Sequence, residues 1–189
     1  MASETFYSPK APVRYARLIT AGFYKDKWSY SVELILTDAN PAHKAFLDKL
    51  ESEFVALHGT KREPSENGKP WVSLGDGTTR VKFKTNRFEN SDGTYSKGPR
   101  LVDAKKQPWN GQEIGNGSEM IIGFTVKSWK EDVGISLHPK ACQVVSFVPR
   151  EDTSGDEVAE GFDEVEGGYV VGSTPEYVDE FGGSEEPPF

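Results

Sequence analysis

The sequence predicts a mainly β protein: a small antiparallel barrel or sandwich with one helix, followed by a disordered acidic C-terminal tail. Stretches that alternate apolar with polar residues recur at short intervals over the first 150 positions, which is the period of half-buried strands. A single segment, 42–58, has the three-and-four spacing of a helix. The charges are also divided. Residues 151–189 hold 13 Asp and Glu and no Lys or Arg, so the chain's net −8 is the sum of a basic body, with 22 basic against 17 acidic side chains, and an acidic tail. A like-charged block rich in Gly, Ser and Pro cannot bury enough apolar surface to offset the entropy of ordering it. Two regions follow, a folded domain over 1–150 and an interaction tail over 151–189. Phe162, Tyr169, Tyr177, Phe181 and Phe189 are spaced along that tail. A purely solvating tail would not need them, and one that docks onto a basic surface would.

In chain order, Val13–Thr20 and Trp28–Thr37 read as strands joined by a polar link at 24–27. Asn40-Pro41 offers an N-cap and a first-turn proline. Phe46, Leu47, Leu50, Phe54 and Leu57 form an apolar stripe, and Gly59 is placed to end the helix. Residues 59–70 read as a loop and 71–74 as a short strand, with a Gly75-Asp76-Gly77 turn leading into a strand over 78–88. Strand alternation there puts Arg80, Lys82 and Lys84 on one face and Val81, Phe83 and Thr85 on the other. The Gly-rich stretch 89–118 holds a strand near 100–103. In 120–130, Met120, Ile122, Phe124 and Val126 face inward while Thr125, Lys127 and Trp129 face solvent. Two last strands are expected at 134–137 and 141–148.

Several function classes are disfavoured. There is no run of 18 apolar residues, and Met1–Lys10 is polar, so neither a membrane span nor a secretory leader is expected, and a cytosolic setting follows. The single Cys142 lies in an apolar pattern without a partner, which fits a reducing compartment. His43, His58 and His138 have no metal-ligand spacing, and no GxSxG, HExxH or phosphate-loop motif occurs, so no catalytic residue, metal or cofactor is expected and the protein is not read as an enzyme.

Binding a single nucleic-acid strand needs only cations for phosphates and aromatic faces for bases. The body interleaves the two in three places: Arg80, Lys82, Lys84, Arg87 and Phe88; Lys127, Trp129 and Lys130; and Tyr24, Lys25, Lys27 and Trp28. Solvated lysines and core aromatics explain any one cluster as well; three in one basic body with an acidic tail favour binding.

The runs GDGTTRVKFK (75–84), GNGSEMIIGFTVKSWK (115–130) and VGISLHPKACQVVSF (133–147), with a tail carrying GYV and ending in phenylalanine, resemble the single-stranded DNA-binding proteins of T-odd short-tailed phages and their cyanophage relatives. The resemblance implies an OB-fold body and a non-enzymatic role in phage DNA replication, recombination and repair, in the cytoplasm of the infected bacterial host. It implies DNA contacts at Lys82 and Lys84, at Trp129-Lys130, where the family has an aromatic-lysine pair, and at Lys27. It also implies a tail, with Asp179, Glu180, Phe181, Glu185, Glu186 and Phe189 as partner-binding positions, that docks on the replicative DNA polymerase and the helicase-primase and competes with DNA for the cleft. A homodimer is left open. The competing readings are a protein-interaction or DNA-mimic module acting through the tail, and a cold-shock-like RNA-binding OB protein, because stacking platforms do not distinguish sugars unless the 2′-hydroxyl is read.

Overall fold

The computed structural model describes residues 4–150; the expected tail, with Asp179, Glu180, Phe181, Glu185, Glu186 and Phe189, lies outside the described residues. The elements run β1 (Phe6–Tyr7), β2 (Ala11–Tyr24), β3 (Lys27–Thr37), α1 (Pro41–His58), β4 (Trp71–Ser73), β5 (Thr78–Asn86), β6 (Arg100–Val102), β7 (Glu119–Ser128) and β8 (Ile135–Ser146). Five of these close into a ring. β2 pairs with β3 and β3 with β5, both antiparallel; β5 meets β8 in parallel at Phe83 and Leu137; β8 pairs with β7, and β7 returns to β2 at Met120 and Ala11. The architecture is therefore a barrel and not a sandwich, and its closure order, first-second-third-fifth-fourth around the ring, is that of the OB-fold.

Alternation fills the interior. Val32, Leu34 and Leu36 of β3, Val81 and Phe83 of β5, Met120, Ile122 and Phe124 of β7, and Ile135 and Leu137 of β8 are all buried. The Phe83 and Phe124 rings meet edge to face at 5.1 Å, and Phe46 of α1 meets Phe124 at 5.9 Å, so the helix packs onto the barrel interior.

The helix starts and stops as its sequence dictates. The Asn40 side chain accepts from the Ala42 amide at 2.9 Å, and Gly59, at φ 76°, donates to the Val55 carbonyl at 2.7 Å. Its buried face is His43, Phe46, Leu50 and Phe54. Leu57, expected in that stripe, is exposed; in the last turn the His58 ring packs at a tilt against Phe54 at 5.1 Å and hydrogen-bonds the Gly134 carbonyl at 2.9 Å. The His43 ring accepts from the Thr37 amide and, as the complementary tautomer requires, donates to the Lys10 carbonyl, each at 3.0 Å. It is a structural pin.

Three expectations about strands are corrected. Segments 134–137 and 141–148 form one strand, β8, which continues through Pro139. Across from it Gly123 pairs with Ala141 and Phe124 with Pro139, leaving Lys140 as the extra residue of a bulge, where a residue without an N–H is tolerated. Trp129 and Lys130 lie beyond the end of β7 at Ser128. The polar leader contains β1, which pairs with β7 and stacks Phe6 on Phe124 at 5.8 Å.

Candidate nucleic-acid interface

The outer face of β3 and β5 carries the cationic rows. On β5, Arg80, Lys82 and Lys84 point outward while Val81 and Phe83 are buried, as alternation required. Register then aligns side chains across three strands: Arg14 of β2, Glu33 of β3 and Lys82 of β5 form one row, and Arg17, Ser31 and Lys84 form the next. Glu33 was not anticipated in this face. It is buried, with Arg80 Nη1 and Lys82 Nζ each 3.9 Å from its Oε1. A buried carboxylate needs such partners, so Glu33 holds the two cations over itself and orients them. Lys84 is held below its ordinary pKa, first by partial burial and then by the charges of Lys82 and Lys27, which marks the three as one cationic cluster.

Lys127 is exposed near the end of β7. It pairs with Ser136 of β8, and the adjacent Leu137 of β8 pairs with Phe83 of β5, so β8 separates Lys127 from β5 around the ring. Trp129 and Lys130 sit in the loop 129–134. The Trp129 ring is half-buried against Gly134, its indole N–H donates to the Ser136 hydroxyl at 2.8 Å, and its backbone amide donates to the Gly134 carbonyl at 2.8 Å. Loop 59–70 buttresses that loop: Ser65 N donates to Val133 O at 2.9 Å, and Ile135 N donates to Gly68 O at 2.8 Å. Thr125, expected on the solvent side, is buried. His138, paired with Thr125 on the outer side of β8, is held below its ordinary pKa by burial first and then by Lys127 and Lys140.

The β2–β3 hairpin turns through Lys25 and Asp26, both at positive φ (48° and 60°), the geometry of a two-residue type I′ turn. Alternation puts Lys27 on the outer face with Ser31 and Glu33 and puts Trp28 on the opposite one. There Trp28 packs against Phe23 at 5.0 Å. Arg87 donates its amide to the Trp28 carbonyl and lays its guanidinium 5.9 Å from the Trp28 ring and 4.1 Å from that of Tyr95. Phe88, beyond the end of β5, is exposed. The structure thus gathers Lys27, Arg80, Lys82 and Lys84 on the outer face of β3 and β5, sets Lys127 on β7, across the ring from those two strands, with Trp129 and Lys130 in the loop that follows it, and sets Trp28 and Arg87 on the other face of the hairpin. Sequence reading missed Glu33, Tyr95, Arg14 and Arg17. The first two become legible only through register and loop packing; the two arginines sit three apart, which strict alternation assigns to opposite faces.

The remaining reactive group is inert: burial pushes the Cys142 thiol up to about 12. Among the described residues there is no group of three His, Cys, Asp or Glu side chains able to hold a metal ion, and no helix long and apolar enough to cross a membrane.

No family model matches the chain. It is 25% identical over 182 residues to the single-stranded DNA-binding protein of Enterobacteria phage T3, a match covering 84% of this chain and 78% of that one. Among solved structures it superposes on gp2.5, a single-stranded DNA-binding protein encoded by bacteriophage T7, with TM-score 0.64 and 22% identity over 89% of this chain and 99% of the other. It also superposes on the single-stranded DNA-binding protein from bacteriophage Enc34 in complex with single-stranded DNA, with TM-score 0.58 and 11% identity over 77% and 88%. All three relatives are named for binding, in keeping with the non-enzymatic expectation. The chain carries the sequence likeness and the fold of the single-stranded DNA-binding protein family of the T-odd phages.

Proposed function

We propose that this protein binds single-stranded DNA without sequence preference across the outer face of β3 and β5, between the β2–β3 hairpin and the loop 129–134, in phage DNA replication and recombination. The observation that carries the reading is the cationic cluster Lys27, Lys82 and Lys84 on the second and third strands of a closed OB barrel, the face that such barrels use for oligonucleotides. Lys27, Arg80, Lys82, Lys84, Lys127 and Lys130 neutralise phosphates, which requires no base identity. Trp129 and Phe88 offer stacking faces, and Trp28 with Arg87 offers a second platform at the hairpin flank. The names of the phage relatives support the same class of ligand.

The acidic tail completes the reading. Residues 151–189, through Asp179, Glu180, Phe181, Glu185, Glu186 and Phe189, recruit the replicative polymerase and the helicase-primase and compete with DNA for the basic face. The sign of the two regions supports this, 13 acidic side chains without a cation against a body with five more basic than acidic groups.

Titrating the full chain with oligo(dT) while following tryptophan emission tests the DNA reading. Saturable quenching that weakens with salt is expected. Unchanged emission together with no retention on immobilised single-stranded DNA would overturn it.

A further inference from the structure

Arg14 and Arg17 lie three positions apart on β2, a spacing that a regular strand would send to opposite faces. The register shows otherwise. Arg14 pairs with Glu33 and Arg17 with Ser31, so β2 spends three residues where β3 spends two, and the extra one is a bulge that restores both arginines to one face. Its residue is Tyr15, at φ 51°, a conformation uncommon for any residue but glycine and held here by its surroundings. The Tyr15 amide donates to Asn116 Oδ1 at 2.9 Å, Val13 N donates to Ser118 O at 2.8 Å, and Gly117 N donates to Val13 O at 3.0 Å, so the loop before β7 clamps the bulge from outside. A second adjustment aims Arg17. Gly22 pairs with Ser29, and even a Cβ there would come within 3.6 Å of Arg17 Cγ, so the arginine stem lies along the strand over a residue that has no side chain. Both arginines are exposed, and among the described residues neither forms an ion pair, in contrast to Arg80 and Lys82, which share Glu33.

We propose that Arg14 and Arg17 are a further phosphate-binding pair, placed by the Tyr15 bulge, that carries the bound strand from β5 across β3 onto β2. This rests on the single-stranded DNA reading above and deepens it by adding a third strand to the path. The rows Arg14–Glu33–Lys82 and Arg17–Ser31–Lys84 make the surface continuous, and arginine at both positions supplies a planar donor fork suited to phosphate oxygens.

The test is the slope of log K against log[salt] for oligo(dT) binding by the full chain, the Arg14→Ala/Arg17→Ala double variant and the Arg14→Lys/Arg17→Lys double variant, each with its thermal melting curve. The alanine variant should fold normally and lose about 1.4 units of slope, at about 0.7 for each phosphate neutralised on a single strand, and the lysine variant should recover that slope. An alanine variant with the slope of the intact chain overturns the proposal and leaves the DNA reading standing. So does a lysine variant as shallow as the alanine one, because charge would then not be the contribution. An intact chain that binds without salt dependence overturns the DNA reading itself.

Discussion

Trp129 shows how one residue is both packed and available. Its indole N–H is committed to Ser136 and one side of its ring to Gly134, which fixes the ring without burying it fully. Trp129→Ala is expected to weaken oligo(dT) binding by about 1–3 kcal/mol, the usual result of removing one base-stacking aromatic, with a melting curve close to that of the intact protein. Gly134→Ala is expected to do damage of another kind. A Cβ at that position would stand 2.6 Å from the Trp129 ring and 2.8 Å from Gly68 Cα, and one of those neighbours is backbone. Overpacking of this sort costs about 1–3 kcal/mol of stability, measurable as a lower urea midpoint, and it should weaken DNA binding as well by displacing the ring. The identity of Trp129 as a candidate was legible in the sequence, because an aromatic between lysines near a strand end is a local pattern. Its half-buried state was not, since that depends on Gly134 and Ser136, which reach it only when the chain doubles back into β8.

At the scale of elements, the KFK strand was readable because alternation is a local rule: Val81 and Phe83 inward leaves Arg80, Lys82 and Lys84 outward wherever the strand sits. The helix was readable for the same reason, from Asn40, Pro41, the Phe46–Phe54 spacing and Gly59. What alternation cannot supply is register. Glu33 beneath Arg80 and Lys82, the bulge at Tyr15 and the continuation of β8 through Pro139 all depend on which residue of the neighbouring strand lies opposite, and a one-residue shift changes the face. β8 also carries a prediction. His138 is held below its ordinary pKa by burial and by two lysines, so as pH falls the unfolded chain takes up this proton first and the ring's contribution to stability is lost below the usual histidine range near about 6.5. A phosphate brought to the same face would favour the charged ring. DNA binding should therefore take up a proton, and affinity should rise between about pH 7.5 and 5.5 in the intact protein while staying flatter in His138→Gln. Parallel pH profiles of the two proteins by fluorescence anisotropy check this, with equal profiles as the contrary result.

For the whole molecule, the governing fact is the opposition of a basic body and a tail with 13 carboxylates and no cation. A chain ending at Arg150 should bind oligo(dT) more tightly than the full chain at about 20–50 mM salt, where screening is least, and the advantage should shrink as salt rises. On the docking role proposed for the tail, the same truncation is expected to abolish capture of a replicative polymerase and a helicase-primase in pull-down assays. Loss of Phe189 alone should impair that recruitment and leave DNA affinity nearly unchanged, because a single uncharged ring adds little to a competition between charges. The charge division was legible from the sequence at once; the closed barrel was legible only through the family resemblance, because by periodicity alone barrel and sandwich share the same strand pattern and differ in the parallel contact of Phe83 with Leu137 and the return of Ala11 to Met120. On that closed barrel the central claim is that single-stranded DNA lies across the outer face of β3 and β5. It is tested most directly by the salt slope of oligo(dT) binding for the Lys82→Ala/Lys84→Ala double variant against the intact protein. With folding unchanged the slope should fall by about 1.4 units, at about 0.7 for each lysine that no longer meets a phosphate; an unchanged slope in a folded double variant would show that the DNA backbone does not meet this face.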